Sequence, residues 1–344
     1  MDIKRTILIV ALAIVSYVMV LKWNQDYGQA ALPTQNTAAS TTNPGLPDGV
    51  PAGDSGAGAS ADVPSATAET HTADQAPVAV SKDLIRVKTD VLDLAIDPVG
   101  GDVVQLNLPQ YPRRQDHPDI PFQLFDNGGE RVYLAQSGLT GANGPDARST
   151  GRPLYAADQK RYQLADGQDQ LVVDLKFSDN GVNYIKRFSF KRGEYDLNVS
   201  YLIDNQSSQA WSGNMFAQLK RDASSDPSSS TATGTATYLG AALWTPSEPY
   251  KKVSMKDIDK GSLKENVSGG WVAWLQHYFV TAWIPAKSDN NVVQTRKDSQ
   301  GNYIIGYTGP AISVPAGARL KPAPCCMPVP RSSPSSRSCP QAWN

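Results

Sequence analysis

Three histidines, three cysteines and a scatter of carboxylate pairs are the side chains of this 344-residue chain that could move protons, attack carbon or hold a metal. Proton transfer near neutral pH favours histidine, which must stand within hydrogen-bond reach of its substrate. His71, His117 and His277 are too scattered to suggest a ligand cluster. His71 falls in a low-complexity stretch and reads as a solvated linker residue. His277 falls in an aromatic run and reads as hydrogen-bonded structure. Cys325, Cys326 and Cys339 all lie within the last 26 residues, so upstream of them neither a disulfide framework nor a thiolate metal site can be built. Asp93 and Asp97 share one parity of a strand pattern, where a solvated face is expected rather than an acid–base pair. The glycine-rich residues 138–146 contain Pro145 and precede no helical period, which makes them a loop and not a phosphate cradle. The chain has no Gly-x-Ser-x-Gly elbow and no His-Glu-x-x-His, and no nucleophile stands beside a recognisable base. No catalytic, cofactor-binding or metal-ligating residue is assigned, no cofactor is expected, and the chain reads as a non-enzyme. A formal net charge of −1 argues against a nucleic-acid surface.

The elements around these residues alternate with period two. Leu92, Leu94 and Ile96 predict a strand, residues 98–102 a turn, and Val104, Leu106 and Leu108 a returning strand. Leu171, Val173, Leu175 and Phe177 predict another, followed by Asn180-Gly181 and by a strand from Tyr184 to Phe190. Asn-Gly between such runs is a strong hairpin signal, because both central residues must reach positive φ. Leu197, Val199, Tyr201 and Ile203 predict the next strand. Residues 221–237 are Ser-, Thr- and Ala-rich and predict a long exposed loop. Residues 269–285 are the most apolar stretch of the globular region. Trp271, Trp274, Leu275, Tyr278 and Ala282 would share a helical face, yet strand–turn–strand suits the same residues equally. They read as sandwich core, with an aromatic-lined cleft as the sharper possibility. Many short alternating strands with Gly and Asn turns indicate a mostly β, antiparallel sandwich.

Before that region, Lys4 and Arg5 precede the apolar run of residues 7–21, which opens on Ile7 and closes on Leu21. Extended to Trp23, it is about the ~17–20 residues a membrane span requires. Gly28-Gln29-Ala30 is a poor cleavage site, since Lys22 and Asp26 intervene, so an uncleaved transmembrane anchor is expected in preference to a secretory signal. The basic pair keeps the N-terminus cytoplasmic. The expected organisation is an anchor helix over residues 1–25 held in inner-membrane lipid by Ile7 to Leu21, a flexible linker over 26–80, a β domain over 81–318 and a disordered tail over 319–344. The linker is rich in Ala, Thr, Ser, Gly and Pro and cannot bury enough apolar surface to offset its ordering entropy.

Several motifs in order then carry a family resemblance over residues 1 to about 318. They are the Lys-Arg start with its apolar span, Val87-Lys88-Thr89-Asp90-Val91-Leu92, Gly100-Gly101-Asp102-Val103, Tyr133-Leu134-Ala135-Gln136-Ser137-Gly138-Leu139, Phe190-Lys191-Arg192-Gly193 and the aromatic run. The chain resembles the Gram-negative YidC membrane protein insertases. The resemblance implies a periplasmic β-supersandwich behind one N-terminal transmembrane helix of the bacterial inner membrane, similar to mutarotase-like folds. It implies as partners the Sec translocon with its accessory subunits, and nascent membrane proteins for the full-length family. It also implies five further helices carrying the insertase groove, so that this chain would be truncated and inactive alone. From Arg319 the family pattern gives way to a Pro-, Ser- and Cys-rich tail. Permissible codons read from their third base can restore Leu-Tyr-Ala-Gly-Pro-Lys, so a single-base deletion near codon 319 is expected; a genuine Pro/Ser tail with a redox- or metal-active Cys-Cys pair is the rival. The alternative function is a membrane-anchored periplasmic carbohydrate-binding or mutarotase-like protein.

Overall fold

A computed structural model describes Tyr17, Met19 and residues 63–64, 83–114, 116–128, 131–227, 238–321 and 324–327. The strands are β1 (Ile85–Lys88), β2 (Asp93–Asp97), β3 (Asp102–Arg114), β4 (His117–Phe125), β5 (Tyr133–Thr140), β6 (Ala156–Ala157), β7 (Arg161–Gln163), β8 (Gln170–Asp179), β9 (Val182–Lys191) and β10 (Leu197–Asn205). They continue as β11 (Trp211–Arg221), β12 (Gly240–Leu243), β13 (Lys251–Val253), β14 (Lys264–Ser268), β15 (Val272–Leu275), β16 (Val280–Trp283), β17 (Asn290–Lys297), β18 (Tyr303–Val314), β19 (Arg319–Leu320) and β20 (Cys325–Met327). Between β13 and β14 lies the short helix α1 (Met255–Lys260), capped by Ser254 and Asp257 in a reciprocal capping box.

Three sheets result. The largest has ten strands in the order β14-β17-β18-β11-β5-β3-β2-β1-β7, with β4 added on β3. A six-stranded sheet runs β19-β10-β9-β8-β6 with β20 also on β10, and a four-stranded sheet runs β13-β12-β15-β16. Pairing is antiparallel except between β1 and β7. The alternation in β9 shows why the sheets stack: Val182, Tyr184, Phe188 and Phe190 turn inward while Asn183 and Lys191 face solvent. Strand β5 is buried at all eight positions, so both faces of the large sheet are covered there. The main core draws on Leu94, Leu106, Phe125, Tyr133, Leu175 and Phe188 among others. A smaller cluster of Trp271, Ala273, Leu275 and Ile284 covers the opposite side of the four-stranded sheet.

The hairpin signal is realised in full. Asn180 (φ 49°) and Gly181 (φ 76°) both stand in the left-handed region and join β8 to β9 with paired residues from Asp179↔Val182 outward. The aromatic run forms β15, a turn and β16 rather than a helix, with Trp274 and Trp283 fully buried as core.

Three readings change. Asp97 is buried, not solvated, because Leu94 to Asp97 are all buried and both faces of β2 are covered there; its carboxylate accepts from the Val99 amide at 2.9 Å. Residues 221–227 are not an exposed loop: Arg221 is 1% exposed, Asp222 accepts from the Val132 amide at 2.8 Å, and Asp226 accepts from Gln276 at 3.2 Å. Disorder beginning at residue 319 does not hold for Arg319–Leu320 and Cys325–Met327, which both pair with β10. The expected anchor lies outside the described residues except for Tyr17 and Met19, which are helical. Among the described residues no helix is long and apolar enough to cross a membrane. Most of the expected linker also lies outside them, but Val63 is buried and the Pro64 carbonyl accepts from Thr140 Oγ1 at 3.0 Å, so this short piece lies against the β domain.

Candidate functional site

Where the six-stranded and ten-stranded sheets meet, four charges are buried together. Asp102 opens β3, Asp146 sits in a single 3₁₀ turn, Arg152 follows in the next loop, and Lys186 projects from the middle of β9. Arg152 is the hub. It is ion-paired with Asp102, donates to Asp146 at 2.8 Å and donates to the Ser137 carbonyl at 3.0 Å. Lys186 donates to the carbonyls of Gly100 at 2.9 Å and Ser137 at 2.8 Å. Asp146 also accepts from the Leu139 amide at 2.8 Å, and Asp102 from Gln136 at 2.8 Å. Two carboxylates and two cations balance, which is what makes ionised groups tolerable at 0% exposure for Asp146 and Lys186.

Glycines make the approach possible. A Cβ at Gly100, which stands at φ +75°, would lie 2.3 Å from Arg152 Cζ, and one at Gly101 3.0 Å from the Lys186 side chain. A Cβ at Gly138 would lie 2.5 Å from an Asp146 carboxylate oxygen. The Gly100-Gly101-Asp102 motif and the glycine-rich loop are thus parts of one packing solution.

Electrostatics follow from burial. Burial pushes the Lys186 ammonium down to about 8, with Arg152 adding to the shift and the two carboxylates opposing it. Burial pushes the Asp146 carboxyl up, opposed by Arg152 and Lys186. Burial also works against the Arg152 charge, but Asp102 and Asp146 outweigh it and raise the guanidinium above its ordinary value. From Asp102 a row of hydrogen bonds crosses the large sheet, Gln218 donating to Gln136 at 2.8 Å and Arg296 to Gln218 at 3.0 Å. The Lys186 amine is tied to two carbonyls and shut from solvent, so the cluster holds sheets in register rather than offering a nucleophile.

A second feature opens to solvent. A cavity of about 370 Å³ is lined by Asn143, Arg148, Asp179, Tyr184, Gln209 and Trp211, among others. Trp211 Nε1 donates to the Asn143 carbonyl and to Tyr184 Oη, each at 2.9 Å. Arg148 lies 3.5 Å from Asp179 and 4.8 Å from the Phe177 ring centroid. Burial pushes the Tyr184 hydroxyl up to about 12, with the Trp211 bond pulling it back, so Tyr184 stays protonated. Such a rim can hold a small polar molecule by hydrogen bonds and ring contacts.

The residues singled out in the sequence stay apart. His117 starts β4 at the surface, 3.8 Å from Asp116. His277 sits in the turn between β15 and β16 with its ring 4.2 Å from that of Tyr278. Neither lines the cavity, and His71 lies outside the described residues. Among the described residues no group of three or more His, Cys, Asp or Glu could hold a metal ion. Sequence reasoning passed over Lys186, although the signal was present: it occupies an inward position between Tyr184 and Phe188.

Comparison with known proteins gives a consistent family. The profile described as the YidC periplasmic domain matches residues 84–321. Membrane protein insertase YidC of Pseudomonas putida strain GB-1 is 90% identical over 321 residues, 93% of this chain and 57% of that protein. The protein of the same name from Pseudomonas fluorescens strain SBW25 is 78% identical over the same shares. The chain therefore spans 57% of the length of these curated relatives. Among solved structures, a galactose mutarotase related enzyme from Lactobacillus acidophilus covers 73% of this chain and 98% of its own at 9% identity and a TM-score of 0.46.

Proposed function

We propose that this chain, which belongs to the YidC periplasmic-domain family, serves membrane-protein insertion as an anchored β domain on the periplasmic face of a bacterial inner membrane. The observation that carries the reading is the family match over residues 84–321, together with 90% identity to a named membrane protein insertase. The domain contributes surface and rigidity rather than bond chemistry, because its densest constellation of reactive groups is a neutralised structural cluster. In this reading residues 7–21 hold the chain in the inner membrane, residues 26–80 tether it, and the β domain contacts the Sec translocon and its accessory subunits. Nascent membrane proteins are the substrates of the complete assembly.

Two experiments test this. Intact cells and spheroplasts carrying the full chain are treated with protease. Digestion of the β domain only after the outer membrane is opened, with the protein in the inner-membrane fraction, is expected; recovery from the soluble periplasmic fraction refutes the anchor. Photo-crosslinkers on the β-domain surface are expected to capture translocon subunits, and their absence at every position refutes the partner assignment. The departure of the tail from the family pattern is assigned to a single-base deletion near codon 319, which sequencing of the gene across that junction decides.

A second reading rests on the rim cavity. With Trp211, Tyr184 and Asn143 in its wall it could hold a saccharide. Titration with mono- and disaccharides under tryptophan fluorescence tests it. No change at millimolar sugar removes it.

A further inference from the structure

The chain has three cysteines, Cys325, Cys326 and Cys339, and the two on β20 stand in different states. Neighbours on a strand point to opposite faces. Cys325 turns into the main core, 1% exposed, and its thiol donates to the Val199 carbonyl at 3.6 Å. Cys326 turns the other way, into the small cluster with Trp271, Ala273 and Ile284. Cys325 is a free thiol, whereas Cys326 is disulfide-bonded. The adjacent cysteines therefore do not bond each other, which removes a redox pair made of those two. One cysteine of the chain remains as a partner. We propose that Cys326 is joined to Cys339, and that this disulfide is a redox-sensitive latch that fastens the tail onto the β domain and holds β20 in place.

Strand β20 needs such a tie. It is three residues long, and Pro324 and Pro328 stop it from growing, because proline cannot donate to a ladder. Its backbone is held by pairing with Leu197–Val199 of β10 and by a reciprocal pair with Ile284. There the Ile284 amide donates to the Cys326 carbonyl at 2.9 Å and the Cys326 amide to the Ile284 carbonyl at 3.1 Å. An element this short has few bonds to lose and opens at low free energy. Opening would uncover the Cys325 thiol, which lies near enough to Lys186 to feel its charge. A bond from Cys326 to Cys339 closes a loop over the twelve residues 327–338 and restricts the freedom that opening would gain. The bond forms by two thiol–disulfide exchanges. The S–S bond of a donor disulfide breaks, one forms between the two cysteine sulfurs, and both protons leave on the two donor thiols. The supply of that donor in the cell rests on the periplasmic placement proposed above.

The full chain, purified without reductant and then oxidised with oxidised glutathione, tests the pairing. Oxidation in vitro supplies the donor in any compartment, so failure there counts against the latch and not against the placement. After tryptic digestion, mass spectrometry is expected to find residues 320–331 linked to residues 338–344, with fragment ions placing the link on Cys326. The latch is read from native alkylation of Cys325, resolved by site. Alkylation is expected to be about tenfold faster or more in Cys339→Ser, and in the unaltered chain reduced with dithiothreitol, than in the oxidised chain. The near-ultraviolet dichroism should stay the same in all three. A link through Cys325, a link between two chains, or no link after oxidation overturns the pairing. Equally slow Cys325 alkylation in Cys339→Ser and in the oxidised chain overturns the latch. Loss of the folded signal in Cys339→Ser overturns it as well, since a latch governs β20 and not the whole domain.

Discussion

Replacing Arg152 by Met removes the hub of the buried charge cluster while leaving a side chain long enough to fill most of its volume. The guanidinium serves Asp102, Asp146 and the Ser137 carbonyl, with a weaker 3.3 Å contact to the Gly100 carbonyl. Lys186 also serves the two carbonyls, so the uncompensated loss falls on the carboxylates. Two buried negative charges then face one buried amine. Breaking such a pair typically costs about 3–5 kcal/mol, against a total stability on the order of 10 kcal/mol for a domain. The melting temperature should fall by on the order of 10 °C. The deficit should shrink in acid, and the sign follows from Asp146. Its folded carboxyl already titrates above the ordinary value, and loss of Arg152, which pulls it down, raises it further. A group raised in the folded state gains protons there first, so the variant recovers stability as pH falls through that folded value. Urea unfolding followed by tryptophan fluorescence between pH 4 and 8 measures this. Asp146→Asn combined with Arg152→Met restores neutrality between Asp102 and Lys186 and should recover about 1–2 kcal/mol of the loss. A cost below about 1 kcal/mol at pH 7, or a deficit that does not change with pH, refutes the charge-balance reasoning.

Three further outcomes follow from the same geometry. Gly100→Ala should cost at least about 2 kcal/mol, combining left-handed strain with a clash on Arg152, whereas Gly193→Ala, at φ +71° with nothing within 4 Å of a new Cβ, should cost only about 1 kcal/mol; equal melting shifts would dismiss the close-approach argument. Lys186→Met should lie within about 2 kcal/mol of the unaltered chain at pH 7, because removing a buried charge offsets two lost hydrogen bonds. The folded lysine releases its proton near pH 8 and the unfolded chain near 10.5, so the unaltered chain gains about 3 kcal/mol over that interval and the variant should fall behind by that amount; parallel pH–stability curves would refute the buried ammonium. Cys325, its thiol pushed up to about 12 by burial, should resist thiol reagents in the folded protein and react at once in urea.

Much of the β domain was legible in the sequence because its cause is local. The parity of Leu171 to Phe177 and of Tyr184 to Phe190, with Asn180-Gly181 between them, specifies the β8–β9 hairpin without reference to anything distant. The aromatic run could not be resolved locally, since helix and hairpin bury Trp271 and Trp274 equally well; pairing of β15 with β12, some thirty residues upstream, decides it. Asp97 was misplaced because both faces of β2 are covered where it lies, which the alternation of a single strand does not record. The charge cluster was hidden for a different reason. Asp102, Asp146, Arg152 and Lys186 come from four separate elements, and only the stacking of two sheets brings them together. Its traces were an inward lysine on β9 and two adjacent glycines, each with an ordinary explanation when read alone. The strand at Cys325–Met327 is too short to show a period of its own, and only its pairing with the distant Leu197–Val199 of β10 defines it.

The most direct measurement of the proposed role is affinity purification of the tagged full chain from detergent-solubilised inner membranes, with the co-purifying proteins identified by mass spectrometry. Recovery in the membrane fraction together with translocon subunits, lost when surface residues of the β domain are replaced, is the expected result. Recovery from the soluble periplasm without any translocon subunit, and with tryptophan fluorescence that responds to saccharides, would contradict it and favour the rim cavity as the working site.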